Sequence, residues 1–286
     1  MNAQFWLTQA FNGISYGALL FLVGSGLSLI FGVMRIVNLS HGSYFLLGGY
    51  IALSVIWTTG SWLLAIPVAA LIVALLGVVM ERLFLRPLGF DPLRQVLLTV
   101  GFAFLFQQAA LDIWTGNNFD INPPDALTKS IVVGGLYLPL YRIFMIGMAV
   151  VIGVILWLVM EKTRIGAAVR ATVDDAQMAR GVGIDTSRVS MLIFSLGALL
   201  AALGGVIGGA FLGVYPGLDF EMLPIAFAVV IIGGMGSLGG AAIGALIVGL
   251  ADNFGKALFP ELSYFTLYAP MALILAVKPT GLFGRE

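Results

Sequence analysis

There is no cysteine among the 286 residues, and histidine occurs once, as His41. The first absence excludes disulfides and thiolate chemistry. The second leaves no histidine cluster with which to hold a metal. Charge is scarce as well: only 10% of residues are charged, and 14 bases balance 14 acids, so there is no basic footprint for nucleic acid. A soluble domain is about 25% charged and about 45–50% apolar. Here 60% of residues are hydrophobic and the mean hydropathy is +1.06. No soluble core hides that much apolar surface, so the chain reads as a membrane protein with lipid as its solvent.

What is abundant is glycine, 37 residues of it. One cluster, Gly234-x-Gly236-x-x-Gly239, has the spacing of a dinucleotide-binding turn. That fingerprint needs an acid about 20 residues on within a βαβ unit, and no second strand follows Asp252. The glycines are read instead as the interruption of a membrane helix, because glycine backbone is the most permissive. The P-loop spacing Gly-x4-Gly-Lys-Ser/Thr is absent, so no nucleotide hydrolysis is expected on this chain.

Apolar segments long enough to approach a bilayer span fall at 9–34, 41–58, 61–84, 95–115, 140–161, 188–213, 239–257 and 262–278, with a short one at 222–233. They predict an all-α, polytopic protein of eight or nine transmembrane segments, two of its helices interrupted, forming a single membrane domain over 1–286. The N-terminus lacks the basic region of a cleaved signal, so the first helix is expected to stay. Ten of the 14 basic residues lie in the loop 81–94 (Arg82, Arg86, Arg94), the segment 161–188 (Lys162, Arg164, Arg170, Arg180, Arg188) and the tail (Lys278, Arg285). The positive-inside rule makes these cytoplasmic and places the N-terminus outside.

The outer loop 116–139 holds two β-prone runs around Gly134-Gly135 and predicts a two-residue hairpin. In the sixth apolar segment Gly197, Ala201, Gly205, Gly209 and Gly213 recur every four residues, with Gly204 and Gly208 beside them, a face that lets backbones approach closely. Residues 9–58 run helix, polar break, helix; 222–257 run half-helix, glycine break, helix. Transporters place their permeation route where paired helices are broken, so Asn38, His41, Gly42, Gly234, Gly236, Ser237 and Gly239 are candidates for a solute path. A Ser237–His41 hydrolase pair is the rival reading. Polar groups that satisfy an interrupted backbone account for the same residues. Asp112 and Asp252 lie near helix ends with no evident basic partner, which argues against an ion-coupled carrier. No metal site is expected.

The segment 161–188 is the most informative polar stretch. Gly166 to Arg180 predicts one helix, stopped by Gly181 and Gly183. It has a mixed-charge face with Arg170, Asp174 and Asp175, and small residues including Ala171 and Ala179. Its apolar residues are mostly alanines, with none of the Trp, Phe or Leu that drive interfacial binding. Insertion into a protein cleft suits it better.

Here the sequence resembles the permease subunits of branched-chain (hydrophobic) amino acid ABC importers, the LivH type. "GAAVRATVDDAQMARGVGIDTSRV" is similar to that family's cytoplasmic coupling segment, and "NLSHGSYFLLGGY" to its break after the first helix. "GGMGSLGGAAIGALIVG" is similar to its glycine-rich break, and "KPTGLFGR" to its ending. The resemblance implies a bacterial inner-membrane permease that pairs with a homologous permease, as a heterodimer, with two cytoplasmic ATPase subunits and with an extracytoplasmic solute-binding protein. ATP and Mg would bind those partners, with no cofactor on this chain. ATP hydrolysis would reach it through Arg170, Ala171, Asp174, Asp175, Ala179, Gly181 and Gly183. Hydrophobic amino acids are the implied cargo. Relatives that carry urea or short amides, or a stand-alone channel or facilitator, are the alternatives.

Overall fold

The computed structural model describes residues 3–89 and 91–284; Arg285, counted above among the cytoplasmic bases, lies outside them. Eleven α-helices run in chain order: α1 Ala3–Met34, α2 His41–Thr59, α3 Trp62–Val79, α4 Pro92–Trp114, α5 Leu140–Lys162, α6 Arg164–Asp174, α7 Ala176–Gly181, α8 Thr186–Leu212, α9 Leu218–Gly233, α10 Leu238–Leu258 and α11 Ser263–Val277. A π-type turn, Met80–Leu85, and a 3-10 turn, Arg86–Leu88, extend α3. Among the described residues seven helical segments are long and apolar enough to cross a membrane, and the chain is a multi-pass membrane protein. The other two apolar helices are α2, with 19 residues, and α9, with 16. At about 1.5 Å per residue α9 is about 24 Å long, short of a hydrocarbon layer of about 30 Å.

The core is a set of helices around α1. This helix lies along α10 and α8 and also meets α5 and α9, while α2 and α3 pack on α8 as well. Glycine makes these approaches possible. A Cβ at Gly17 would strike the Ala245 backbone, and one at Gly249 would strike Gly13 and Gly17, so α1 and α10 meet backbone to backbone. The four-residue stripe on α8 behaves in the same way: Gly205 fits against the Phe45 backbone, Gly197 against Ile30 and Gly26, and Gly208 against the Phe45 ring. Without a hydrophobic driving force between helices in lipid, such close van der Waals packing is what holds a bundle together. By contrast α4, α5 and α11 lie at the rim and expose Leu97, Phe104, Val150, Trp157, Tyr264 and Leu273.

The predicted hairpin is present as two antiparallel strands, β1 Ser130–Val133 and β2 Leu136–Pro139. Gly134 at φ 58° and Gly135 at φ 84° take the left-handed conformations that a two-residue turn of this twist requires. Earlier in the same loop Phe119 and Val214 exchange backbone hydrogen bonds of 2.9 and 2.8 Å, fastening the loop to the α8–α9 connection.

Candidate functional site

Both predicted interruptions exist, and they are built differently. After α1 the chain reverses at Arg35, whose φ of 54° is unusual for a residue with a side chain. Asn38, Ser40 and His41 then sit fully buried. Asn38 Oδ1 accepts from Ser40 N at 3.1 Å and from Ser40 Oγ at 2.7 Å, and Thr99 Oγ1 of α4 accepts from Leu39 N at 3.2 Å. His41 Nε2 lies 3.0 Å from the Val23 carbonyl. Since a carbonyl only accepts, this assigns the ring proton to Nε2. The side chains of this break supply partners for backbone that has left its helix.

The second break works through backbone. Gly234 and Gly236 adopt φ of 97° and 82°, and a Cβ on Gly236 would come within 3.0 Å of Gly32 Cα in α1. Ser237 caps α10 by accepting from Gly240 N at 3.0 Å, while its carbonyl accepts from Ser28 Oγ at 3.3 Å. The carbonyls left free at the end of α9 are taken by the C-terminal tail: Leu282 N donates to Ile232 O at 2.9 Å and Phe283 N to Gly233 O at 3.0 Å. The Pro-Thr-Gly ending is therefore a plug for the broken helix, a role that no local pattern in the sequence signals.

The two breaks do not meet through hydrogen bonds among the described residues; each is lodged separately against α1. Asn38, His41 and Gly42 are buried, Gly234 is buried, Ser237 is half-buried, and Gly236 and Gly239 are exposed. The Ser237–His41 pair does not form, because each side chain is engaged elsewhere. Residues 13–17 spell Gly-Ile-Ser-Tyr-Gly, the spacing of a hydrolase nucleophile turn. They lie inside α1, with Ser15 Oγ donating to Asn12 O at 2.8 Å. Asp252 does have a basic partner, contrary to the sequence reading: Lys256, one turn on, is 2.8 Å from Oδ2. Asp112 accepts from Gln108 Nε2 at 2.9 Å.

The segment 161–188 is two short helices rather than the one expected over 166–180. Asp175 is the reason. Its extended backbone (φ −152°, ψ 104°) ends α6, and its Oδ1 accepts from Gln177 N at 2.8 Å and Met178 N at 2.9 Å to start α7. Aspartate competes with the helix in this way because its short side chain reaches nearby amides. Those two donors hold the Asp175 carboxyl below the usual aspartate range. Thr163 caps α6 and Asp185 caps α8, accepting from Gly166 N at 3.2 Å and Arg188 N at 3.1 Å. Each helix of the segment thus begins on a side-chain cap.

Arg170 turns back rather than outward. It donates to the Met160 carbonyl and lies 3.8 Å from Glu161 Oε2, pinning α6 to the end of α5. Ala179 is buried against its own chain and Ala171 is half-buried, so these alanines face inward. Gly181 is exposed, and Gly183 turns the chain at φ 89°. The outward face carries residues the sequence reading passed over: Met178 at 67% exposure and Val182 at 71%. Between this segment and the ends of α1 and α4 lies a cavity of about 430 Å³, lined by Met34, Arg35, Gln95, Asp174, Asp175 and Ala176.

Residues 9–275 match the family described as the branched-chain amino acid transport system permease component. The chain belongs to this family. The LivH permease of the high-affinity branched-chain amino acid transport system of Salmonella typhimurium is 32% identical, over 100% of this chain and 98% of its own. The corresponding BraD permease of Pseudomonas aeruginosa is 28% identical over 98% of this chain and 96% of its own. The LsrC permease of an autoinducer 2 import system from Escherichia coli is 29% identical over a shorter stretch, 66% of this chain and 56% of its own. No solved structure matches. As a permease component the protein is a membrane subunit and not itself an enzyme.

Proposed function

We propose that this permease is the membrane subunit of an ATP-driven importer of branched-chain amino acids in a bacterial inner membrane. ATP and Mg bind two cytoplasmic ATPase subunits. A second, homologous permease completes the membrane body, and an extracytoplasmic binding protein delivers the solute to the outer loop. The observation that carries the reading is the capped pair α6–α7, which presents Met178 and Val182 to the cytoplasm on a charged segment. Two bulky apolar side chains left in water, Met178 on α7 and Val182 just past its end, are suited to a protein pocket. Asp174, Asp175 and the turn at Gly181–Gly183 set the angle at which they enter it. The solute path runs past the interrupted helices, where Asn38, His41, Gly42, Gly234, Gly236, Ser237 and Gly239 shape the backbone.

The test is uptake by proteoliposomes containing the whole complex. Met178→Asp with Val182→Asp should lower ATP-dependent leucine uptake at least tenfold while the permease still inserts. Ala171→Trp should weaken uptake by overfilling the inner face of α6, since overpacking costs about 1–3 kcal/mol. Uptake at the unmodified rate in the double variant would overturn the role of this segment.

A further inference from the structure

A buried acid with one oxygen left unpartnered stands at the start of α9: Asp219. It is 2% exposed, and among the described residues no ion pair includes it. It stands in the first turn of α9, whose N-terminal dipole favours negative charge. The first turn of α2 comes to meet it: Ser43 Oγ donates to Asp219 Oδ2 at 3.2 Å, and Gly42 packs against the Asp219 backbone so closely that a Cβ would not fit. Two helix N-termini thus converge on one carboxylate. Its other oxygen, Oδ1, is buried and makes no hydrogen bond. Tyr50 lies two turns further along α2 on the same face as Ser43, and its hydroxyl is also buried and also unpartnered. Its ring is held by stacking on Trp114, with centroids 5.0 Å apart.

Ionisable side chains are rare inside a membrane domain and mark substrate or ion paths, and here one carboxylate oxygen is left over after Ser43 has paired the other. The vacant valences here are a carboxylate oxygen and a phenolic hydroxyl. Together they suit a positively charged hydrogen-bond donor, and a primary ammonium offers three N–H groups to two acceptors. We propose that Asp219 Oδ1 and Tyr50 Oη receive the α-ammonium group of the solute as it passes through the permease. The site selects an amino acid over a neutral amide or urea, which brings no charge to the carboxylate. Entry is from the outer side, through the α8–α9 connection. That connection is flanked by Gly213 and Gly217 at φ 80° and 99° and tied to the outer loop by the Phe119–Val214 pair.

The proposal rests on the importer reading for its solute, and the experiment separates the two. In proteoliposomes with the full complex, Asp219→Asn should cut leucine uptake at least tenfold with unchanged complex yield, and Asp219→Glu should retain part of it. Tyr50→Phe should raise the KM for uptake severalfold. A membrane-permeant carbodiimide should modify Asp219 in the purified full-length permease, and isoamylammonium should protect it where urea does not. Protection without any uptake by the unmodified complex would retire the importer reading and keep the site. Uptake by Asp219→Asn at the unmodified rate, or Asp219 labelling that is absent or indifferent to the amine, overturns the site.

Discussion

The two interruptions pose one physical problem and answer it in different ways. Backbone that leaves a helix among apolar neighbours must find new partners. The break at 35–40 finds them in side chains, with Asn38, Ser40 and Thr99 supplying the hydrogen bonds. The break at 234–237 finds them in other backbone: glycine lets α1 approach, and the tail amides of Leu282 and Phe283 close the free carbonyls. The first should therefore respond to lost polarity and tolerate modest changes of size. The second should respond first to added volume, with the Ser237 cap and the Ser28 hydroxyl as its side-chain contributions.

The largest effect should come from removing the tail. Ending the chain after Lys278 leaves the buried carbonyls of Ile232 and Gly233 without donors. At about 1–3 kcal/mol for each unsatisfied group, the cost is about 2–6 kcal/mol. Little monodisperse permease should survive detergent extraction. Phe283→Ala keeps the amide and should extract nearly as well as the parent protein. Equal losses in both would mean that the tail acts through its side chain.

Gly234→Val comes next. The residue sits at φ 97°, and its Cβ would overlap the backbone of Gly284. Left-handed strain and overpacking together cost about 2–5 kcal/mol, which a lowered detergent melting temperature would report. A normal melting temperature would show that the break relaxes and that close contact is not what holds it.

Asn38→Leu sharpens the other side of the comparison. It is close in volume but deprives the buried Ser40 amide of its acceptor, at about 1–3 kcal/mol. Asn38→Asp keeps an acceptor at the same place and should recover part of the loss in the same melting assay if the break depends on polarity. If Leu is as good as Asn, the break is held by packing after all.

The smallest effect concerns the cytoplasmic caps. The Asp175 carboxyl is held below its usual range by two amides, so its contribution is present above the ordinary aspartate pKa of about 3.9 and is lost only as pH falls through the lowered value. Helix content and melting of the unmodified permease should therefore show no Asp175-dependent change between about pH 5 and 8. Asp175→Ala should give a slightly less stable protein over the same range. A stability step near neutral pH that vanishes in Asp175→Ala would contradict the cap.

Composition and hydropathy determined the solvent, the all-helical class and the position of nearly every apolar helix, because a span must be apolar along its whole length whatever surrounds it. Glycine at four-residue spacing determined that α8 is packed against protein. The hairpin was legible because Gly134-Gly135 leaves few other turns available. Tertiary structure alone decided which polar residues end up together. Asp219 and Ser43 are 176 positions apart, as are no groups a local pattern can join. The pairing of the tail with α9 is likewise a long-range matter of backbone amides, which every residue except proline carries and which leave no trace in residue type. Asp175 was visible as an acid on a helical face, yet only its surroundings made it a cap. The same side chain can extend a helix or interrupt it, and the choice rests on whether the chain beyond it is pulled back to pack, as Ala179 is here.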